Sequence, residues 1–144
     1  MSEFKTLYVE RPVLNPDDVL WLCVEWSLTL PKHAPHVTLI YSRGLVDWSS
    51  PVFAPDSKPL FVPQTRFPVW LFGDCVVLGL ESPLLKERHE ALRACGATSD
   101  FPTYNPHITI GKNPDESLCL PDFVLLPKPF EFGPECRFEV EDDD

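Results

Sequence analysis

The sequence is poor in basic residues. Its 144 residues contain 12 Lys and Arg against 22 Asp and Glu, which gives a formal net charge of −10. Most of such a surface repels an extended polyanion, because a phosphate backbone binds where cations neutralise it along its length. The composition therefore argues against long nucleic acid as a partner. It leaves room for a compact anionic ligand that needs only local positive charge.

The cysteines match neither a zinc site nor a disulfide framework. They are five in number, and no two of them form a C-x-x-C pair. Zinc sites draw on closely spaced cysteine and histidine ligands, and secreted frameworks use an even number of cysteines. We expect reduced, mostly buried thiols and no metal. The five positions are Cys23, Cys75, Cys95, Cys119 and Cys136.

Long apolar runs and targeting patterns are also lacking. No apolar run approaches the roughly 20 residues that span a bilayer, and the first residues do not follow the basic-then-apolar order of a secretory signal. The length suits one domain, residues 1–144. We therefore expect a single-domain cytoplasmic protein with no membrane partner.

One short pattern is present twice: proline, histidine, a β-branched apolar residue, threonine and an aliphatic residue. It covers residues 35–39 and again residues 106–110. β-branched and aliphatic residues favour strands, in which alternate side chains share a face. Each copy then presents its histidine and threonine together and turns its apolar side chains to the core. One His-x-Thr is usually structural, but two copies with matching neighbours favour a shared role.

The chemistry of the two copies is that of a paired acid and base. If the two strands are neighbours, His36, Thr38, His107 and Thr109 line one groove. The ordinary pKa of histidine, about 6.5, supplies both protonation states near neutrality. One imidazole can take a proton from a nucleophile while the other gives one to a leaving group. The threonine hydroxyls can donate hydrogen bonds to phosphoryl oxygens, and no metal or cofactor is needed.

The surroundings of the two motifs also repeat. Asn15 is expected to cap a helix that has Pro16 at its first position, and Ser82 and Pro83 start a second helix that Gly96 ends. A strand-like run precedes each helix. The runs are Phe4–Val9 and Cys75–Leu80, and the first helix should bury Val19, Leu22, Cys23 and Trp26.

The order strand, helix, His-x-Thr strand is therefore written twice. It predicts an α+β fold with duplicated strand–helix–strand halves, roughly residues 1–70 and 71–144, around a central groove. A pseudo-two-fold axis would pass through that groove. The remaining histidines, His33 and His89, lack a threonine partner and are expected at the surface.

The paired motifs resemble the signature of the 2H phosphoesterase superfamily, over most of the chain. More specifically, the run of residues 36–43 (HVTLIYSR) with 46–48 (VDW) is similar to the phage anti-CBASS phosphodiesterases, as are residues 6–9 (TLYV) and 104–109 (YNPHIT). The resemblance implies a two-lobed 2H fold. It also implies a phosphodiesterase that degrades the cyclic oligonucleotide signals of bacterial anti-phage defence.

Roles for single residues follow from that resemblance. His36 and His107 would be the general base and general acid, in an order that the sequence does not set, and Thr38 and Thr109 would hold the phosphate. The ribose 2′-hydroxyl of the substrate would attack the neighbouring 3′–5′ phosphodiester. Cyclic di- and trinucleotides are the expected partners, in the cytoplasm of an infected bacterial host.

Further ligand contacts are expected near the motifs. Arg43 and Lys112 would supply local positive charge, and Tyr8, Tyr41 and Tyr104 would contact the ligand. The segment of residues 132–135 would fold over the site as a lid that brings Glu135 to a base edge. The aromatic residues near predicted strand ends or loops are Tyr8, Tyr41, Trp48, Trp70, Phe101 and Tyr104.

Two other functions remain open from the sequence. A 2H enzyme could act on 2′,3′-cyclic phosphates at RNA ends or on a small cyclic phosphate. A non-catalytic protein could instead sequester cyclic nucleotides, although binding alone does not require a paired acid and base. Substrate identity separates the first two functions, and turnover separates both from the third.

Overall fold

The computed structural model describes residues 3–113 and 119–141, and in these ranges the chain is an α+β protein, as predicted. Within the described residues, two α-helices and one short 3-10 turn accompany a seven-stranded sheet and a two-stranded sheet. The elements are β1 (Phe4–Pro12), α1 (Asp17–Glu25), β2 (His36–Asp47), the 3-10 turn (Pro51–Phe53), β3 (Leu60–Val62), β4 (Arg66–Phe72), β5 (Cys75–Gly79), α2 (Pro83–Ala94), β6 (His107–Lys112), β7 (Phe123–Leu125), β8 (Phe130–Phe132) and β9 (Cys136–Phe138).

The large sheet is antiparallel, and the two strands that carry His-x-Thr lie next to each other at its centre. Its strand order is β7-β4-β5-β6-β2-β1-β9, while β3 and β8 form the small sheet. In each half, the strand before a helix pairs with the strand after it: β1 with β2 and β5 with β6. This order brings the two motifs together although many residues separate them.

The core lies on the face of β2 and β6 opposite the histidines. Val37 and Ile108 have no exposed surface, whereas the histidine and threonine of each motif are half-buried. Helix α1 contacts β6, and α2 contacts β2. Burial of a Val or Ile side chain stabilises the fold by roughly 1.5–3 kcal/mol, so this alternation fixes which face the histidines occupy.

The ends of α2 confirm the predicted capping, and the start of α1 corrects it. The Ser82 hydroxyl accepts a hydrogen bond from the Leu85 amide, and Gly96 follows the helix with a φ of +112°. Before α1, however, Pro16 occupies the cap position and no side chain caps the helix. The Asn15 amide instead donates to the Pro129 carbonyl and accepts from the Glu131 amide, so that it tethers the β8 region.

Burial in α1 and of the cysteines follows the expectation in part. Val19, Leu22 and Cys23 are buried, but α1 ends at Glu25 and Trp26 is only partly buried. All five cysteines are free thiols, but only Cys23 is buried, which corrects the prediction that most of them are. Among the described residues, no helix is long and apolar enough to cross a bilayer.

Candidate active site

The register of β2 against β6 assembles the two motifs into one cluster. The strands share the Cα pair Val37 and Ile108 in an antiparallel arrangement. Antiparallel pairing then puts His36 opposite Thr109 and Thr38 opposite His107, with all four side chains on one face. The two histidines lie on a diagonal, for which about 7–8 Å is typical.

A local hydrogen bond orients each imidazole in the same way. The Nδ1 atom of His36 lies 2.8 Å from the Ala34 carbonyl oxygen, and the Nδ1 atom of His107 lies 2.8 Å from the Asn105 carbonyl oxygen. A carbonyl can only accept, so each Nδ1 carries a hydrogen. Each ring therefore presents Nε2 for chemistry.

The sheet opens between β2 and β6 beyond this pair, and side chains satisfy the backbone that is left without a strand partner. The Tyr104 hydroxyl donates to the Thr38 carbonyl at 2.8 Å. His89 donates from Nδ1 to the Leu39 carbonyl at 2.6 Å. Their rings stack with centroids 4.1 Å apart. A residue of α2 and a residue of the α2–β6 connection thus replace a neighbouring strand, since buried carbonyls need donors.

The position of His89 corrects one prediction. We expected it at the surface with His33, but only His33 is exposed, and His89 is 7% exposed. Burial lowers the pKa of His89, which favours the neutral ring. Its helical spacing from Leu85 and Leu92, both buried, is the signal in the sequence that indicates an inward-facing position.

A cavity of about 460 Å³ adjoins the cluster, within the usual range for small-molecule sites. Thr38 and His107 line it, so it reaches one residue of each motif's His-x-Thr pair. Trp48 lies elsewhere, where its indole Nε1 donates to the Thr6 carbonyl. The other five candidate aromatics all line the cavity: Tyr8, Tyr41, Trp70, Phe101 and Tyr104.

A polar network surrounds His36. The Tyr8 hydroxyl lies 3.1 Å from His36 Nε2, 3.0 Å from Thr38 Oγ1 and 3.0 Å from Glu10 Oε2. The same Glu10 oxygen is 3.3 Å from His36 Nε2. Burial raises the pKa of Tyr8, which keeps its hydroxyl protonated. Sequence reasoning missed Glu10. Two signals could have identified it: it shares a strand face with Tyr8, and acidic residues are depleted in strands.

Aromatic rings surround His107 instead. The centroid of its imidazole is 5.2 Å from that of Phe72 and 6.1 Å from that of Trp70. Gly79, which pairs with His107 in the sheet, makes room for the indole: a Cβ at this position would lie 2.3 Å from Trp70 Cζ3. The two histidines are thus alike in local geometry and different in surroundings.

The two predicted cationic contacts lie outside the cavity lining that the described residues form. Arg43 is exposed, 3.2 Å from the Asp100 carboxylate, and its guanidinium lies over the Tyr41 ring. Because Asp100 and Tyr41 do line the cavity, Arg43 is near its rim. Lys112 is exposed at the far end of β6, where it pairs with Cys75.

The structure does not bring Glu135 to the cavity, and the segment of residues 132–135 is not a lid. Phe132 is fully buried and pairs with Leu60 in the small sheet. The Glu135 side chain is 1% exposed, and its two oxygens accept from Arg88 Nε at 2.9 Å and Nη2 at 3.0 Å. Arg11 adds a second positive charge 3.8 Å away. This ion cluster holds the segment in the body of the protein.

Among residues 3–113 and 119–141, no three histidine, cysteine or acidic side chains are grouped as a metal site requires. The cluster itself offers imidazoles, hydroxyls and the Glu10 carboxylate.

A sequence profile of the family described as "Anti-CBASS protein Acb1" matches residues 5–144. The chain belongs to this family. A protein of that description from Sphingomonas paeninsulae is 33% identical over 96% of this chain, and one from Salmonella phage S16 is 41% identical over 78% of it. The chain spans only 24% of the length of the Sphingomonas relative and 64% of the phage relative.

The fold of this Acb1-family chain is also found in a solved structure. E. coli LigT in its apo form superposes with a TM-score of 0.54 over 96% of this chain and 98% of LigT, at 17% sequence identity. At this low identity, the superposition shows a common fold. The Acb1 match confirms the resemblance to the anti-CBASS proteins, and the LigT likeness shows the fold alone.

Proposed function

We propose that this chain is a metal-independent phosphodiesterase that opens cyclic di- and trinucleotide signals of the bacterial CBASS defence. The observation that carries the proposal is the single pairing of Val37 with Ile108, which gathers two imidazoles and two hydroxyls beside an aromatic cavity. Membership of the anti-CBASS family supports the choice of substrate. The acid, base and phosphate-binding groups of one reaction are then all supplied by β2 and β6.

The proposed reaction begins with the substrate's own 2′-hydroxyl. One histidine takes its proton as the oxygen attacks the adjacent phosphorus, and the bond from phosphorus to the 5′-oxygen breaks. The other histidine gives a proton to that leaving oxygen, while Thr38 and Thr109 donate hydrogen bonds to the phosphoryl oxygens. The linear product ends in a 2′,3′-cyclic phosphate. Water then hydrolyses it with the two histidines in exchanged roles.

The cavity supports a compact ligand with bases. Tyr8, Tyr41, Trp70, Phe101 and Tyr104 offer ring faces and edges beside the proposed phosphate position. Stacking on an aromatic ring contributes roughly 1–3 kcal/mol per base. The net charge of −10 disfavours a long polyanion but not a ring with two or three phosphates. Arg43 near the rim would supply the local positive charge.

The arrangement of strands supports an internal duplication with halves near residues 1–70 and 71–144. In the sheet order β5-β6-β2-β1, the two pairs are arranged symmetrically about the boundary between β6 and β2. In the sequence, one helix lies between the two strands of each pair. The proposed pseudo-two-fold axis passes between Val37 and Ile108, where the substrate phosphate would lie on the histidine face. The phage relatives support action in the cytoplasm of an infected bacterium.

The test is chromatography with mass spectrometry of 3′,3′-cyclic dinucleotides and cyclic trinucleotides incubated with the protein in excess EDTA. We expect linear products that carry a 2′,3′-cyclic phosphate or a 3′-phosphate. His36→Ala and His107→Ala should lose about 10²–10⁴-fold in rate, the usual contribution of a general acid or base. His33→Ala is the matched control, because His33 is exposed and outside the cluster.

Other outcomes would favour the alternative functions. Intact rings together with hydrolysed 2′,3′-cyclic phosphate ends would indicate an enzyme of RNA ends or small cyclic phosphates. Intact rings that remain tightly bound would indicate a sequestering protein. Activity that depends on added metal would contradict the proposed chemistry.

A further inference from the structure

The contacts around His36 favour a hydrogen on both ring nitrogens. Nδ1 donates to the Ala34 carbonyl, as described above. Nε2 faces two oxygens, the Tyr8 hydroxyl at 3.1 Å and the Glu10 carboxylate at 3.3 Å. An ionised carboxylate can only accept a hydrogen bond. A lone pair on Nε2 would therefore face the lone pairs of Glu10 without a hydrogen between them.

The Tyr8 hydroxyl has one hydrogen to give, and Glu10 takes it. Burial raises the pKa of Tyr8, so the hydroxyl stays protonated. It is 3.0 Å from Glu10 Oε2, the acceptor that carries charge and makes the stronger bond. The Tyr8 oxygen then accepts from Thr38 Oγ1 and from His36 Nε2. With hydrogens on Nδ1 and Nε2, the ring of His36 is an imidazolium beside a carboxylate.

His107 lacks these partners. Its Nδ1 donates to the Asn105 carbonyl, but in the part of the chain that the structure describes, no side chain is bonded to its Nε2 and no carboxylate forms an ion pair with it. Phe72 and Trp70 flank the ring. A neutral ring with its hydrogen on Nδ1 would present the lone pair of Nε2 to the cavity edge.

We propose that His107 is the general base and His36 the general acid of the ring-opening step, and that Glu10 acts as a positioning residue that keeps His36 protonated. The inference rests on the proposed function and deepens it. The 2′-hydroxyl proton moves to His107 Nε2, the 2′-oxygen bonds to phosphorus, and the bond from phosphorus to the 5′-oxygen breaks. The Nε2 proton of His36 moves to that 5′-oxygen. Each histidine ends in the state that the hydrolysis of the 2′,3′-cyclic phosphate needs.

A substrate that does not need an acid tests this assignment. In 3′,3′-cyclic di-AMP with sulfur in place of both bridging 5′-oxygens, the leaving group is a thiolate that departs without protonation. We expect His36→Ala to lose about 10²–10⁴-fold on the oxygen ring and less than about tenfold on the sulfur ring. His107→Ala should lose a similar, large factor on both rings, because the 2′-hydroxyl still needs a base. If the sulfur ring instead restored the rate of His107→Ala and not that of His36→Ala, the assignment would be reversed and the inference overturned.

Glu10→Gln tests the positioning role separately. It keeps the size of the side chain and removes the charge, so kcat on the oxygen ring should fall about tenfold or more with little change in KM, and the sulfur ring should restore the rate. Glu87→Gln, on the exposed face of α2, is the matched control and should behave as wild type. If Glu10→Gln slowed the opening of the oxygen ring and of the sulfur ring equally, Glu10 would have a structural role only and the positioning role would be contradicted. A wild-type protein that opens neither ring would contradict the proposed function itself.

Discussion

Removal of the Glu135 carboxylate should destabilise the protein strongly and leave its catalysis intact. The side chain is 1% exposed, accepts two hydrogen bonds from Arg88 and a third from the Asp56 amide at 3.1 Å, and lies 3.8 Å from Arg11. In Glu135→Ala, Arg88 loses its carboxylate partner and the Asp56 amide loses its acceptor.

The surroundings set the size of the loss. Loss of one partner of a buried ion pair costs about 3–5 kcal/mol. Arg88 is 23% exposed and can recover some hydration, and Arg11 keeps its bonds to the Lys58 and Gly133 carbonyls and to Asp56. The lower end, about 3 kcal/mol, is therefore expected. For a chain of this length the unfolding entropy is about 0.3 kcal/mol/K, so Tm should fall by about 10 °C.

Thermal and urea unfolding of Glu135→Ala beside wild type measures this change, with Glu87→Ala as an exposed control. Ring opening at a temperature where both proteins are folded should proceed within about twofold of wild type, since Glu135 does not line the cavity. A loss of stability below about 1 kcal/mol would refute the ion cluster. A large rise in KM with little loss of stability would instead support the base contact predicted from the sequence.

Three further changes probe the opening between β2 and β6. Tyr104→Phe should cost about 1–3 kcal/mol in urea unfolding, because the part-buried Thr38 carbonyl loses its donor; an unchanged midpoint would show that water replaces it. Gly79→Ala should displace the Trp70 indole and weaken the binding of cyclic nucleotides, measured by calorimetry. An unchanged affinity would exclude Trp70 from the ligand site. Burial lowers the pKa of His89, so below about pH 6.5 the unfolded state binds a proton that the folded state does not, and the free energy of unfolding should fall. His89→Gln should reduce the dependence of stability on pH. An equal dependence in both proteins would contradict this explanation.

Much of the site could be predicted because strands and helix ends follow local rules. The alternation in residues 35–39 and 106–110 gives the faces of His36 and His107 without knowledge of the fold. The Ser82 cap and the Gly96 stop depend on side-chain and backbone chemistry within a few residues. These signals act over short distances, so the sequence alone contains them.

The features that the sequence did not predict arise from contacts between distant segments. Asn15 has the chemistry of a helix cap, but its side-chain amide is instead hydrogen-bonded to the backbone of the β8 region, at Pro129 and Glu131. His89 is buried because β2 loses its strand partner at Leu39 and needs a donor there. Glu135 was expected at a base edge, yet its charge is matched by Arg88, which comes from α2. The spacing of His89 from Leu85 and Leu92 indicates an inward-facing position, but no local pattern identifies the distant partner in any of these cases.

The central claim is that a ribose 2′-hydroxyl opens the ring between the two histidines. The most direct test compares 3′,3′-cyclic di-AMP with the same ring built from 2′-deoxyadenosine, each incubated with the protein in EDTA and followed by mass spectrometry. We expect the ribose ring to give a linear product with a 2′,3′-cyclic phosphate end and the deoxy ring to stay intact. Opening of the deoxy ring at a comparable rate would contradict the claim, because another nucleophile would then carry the reaction.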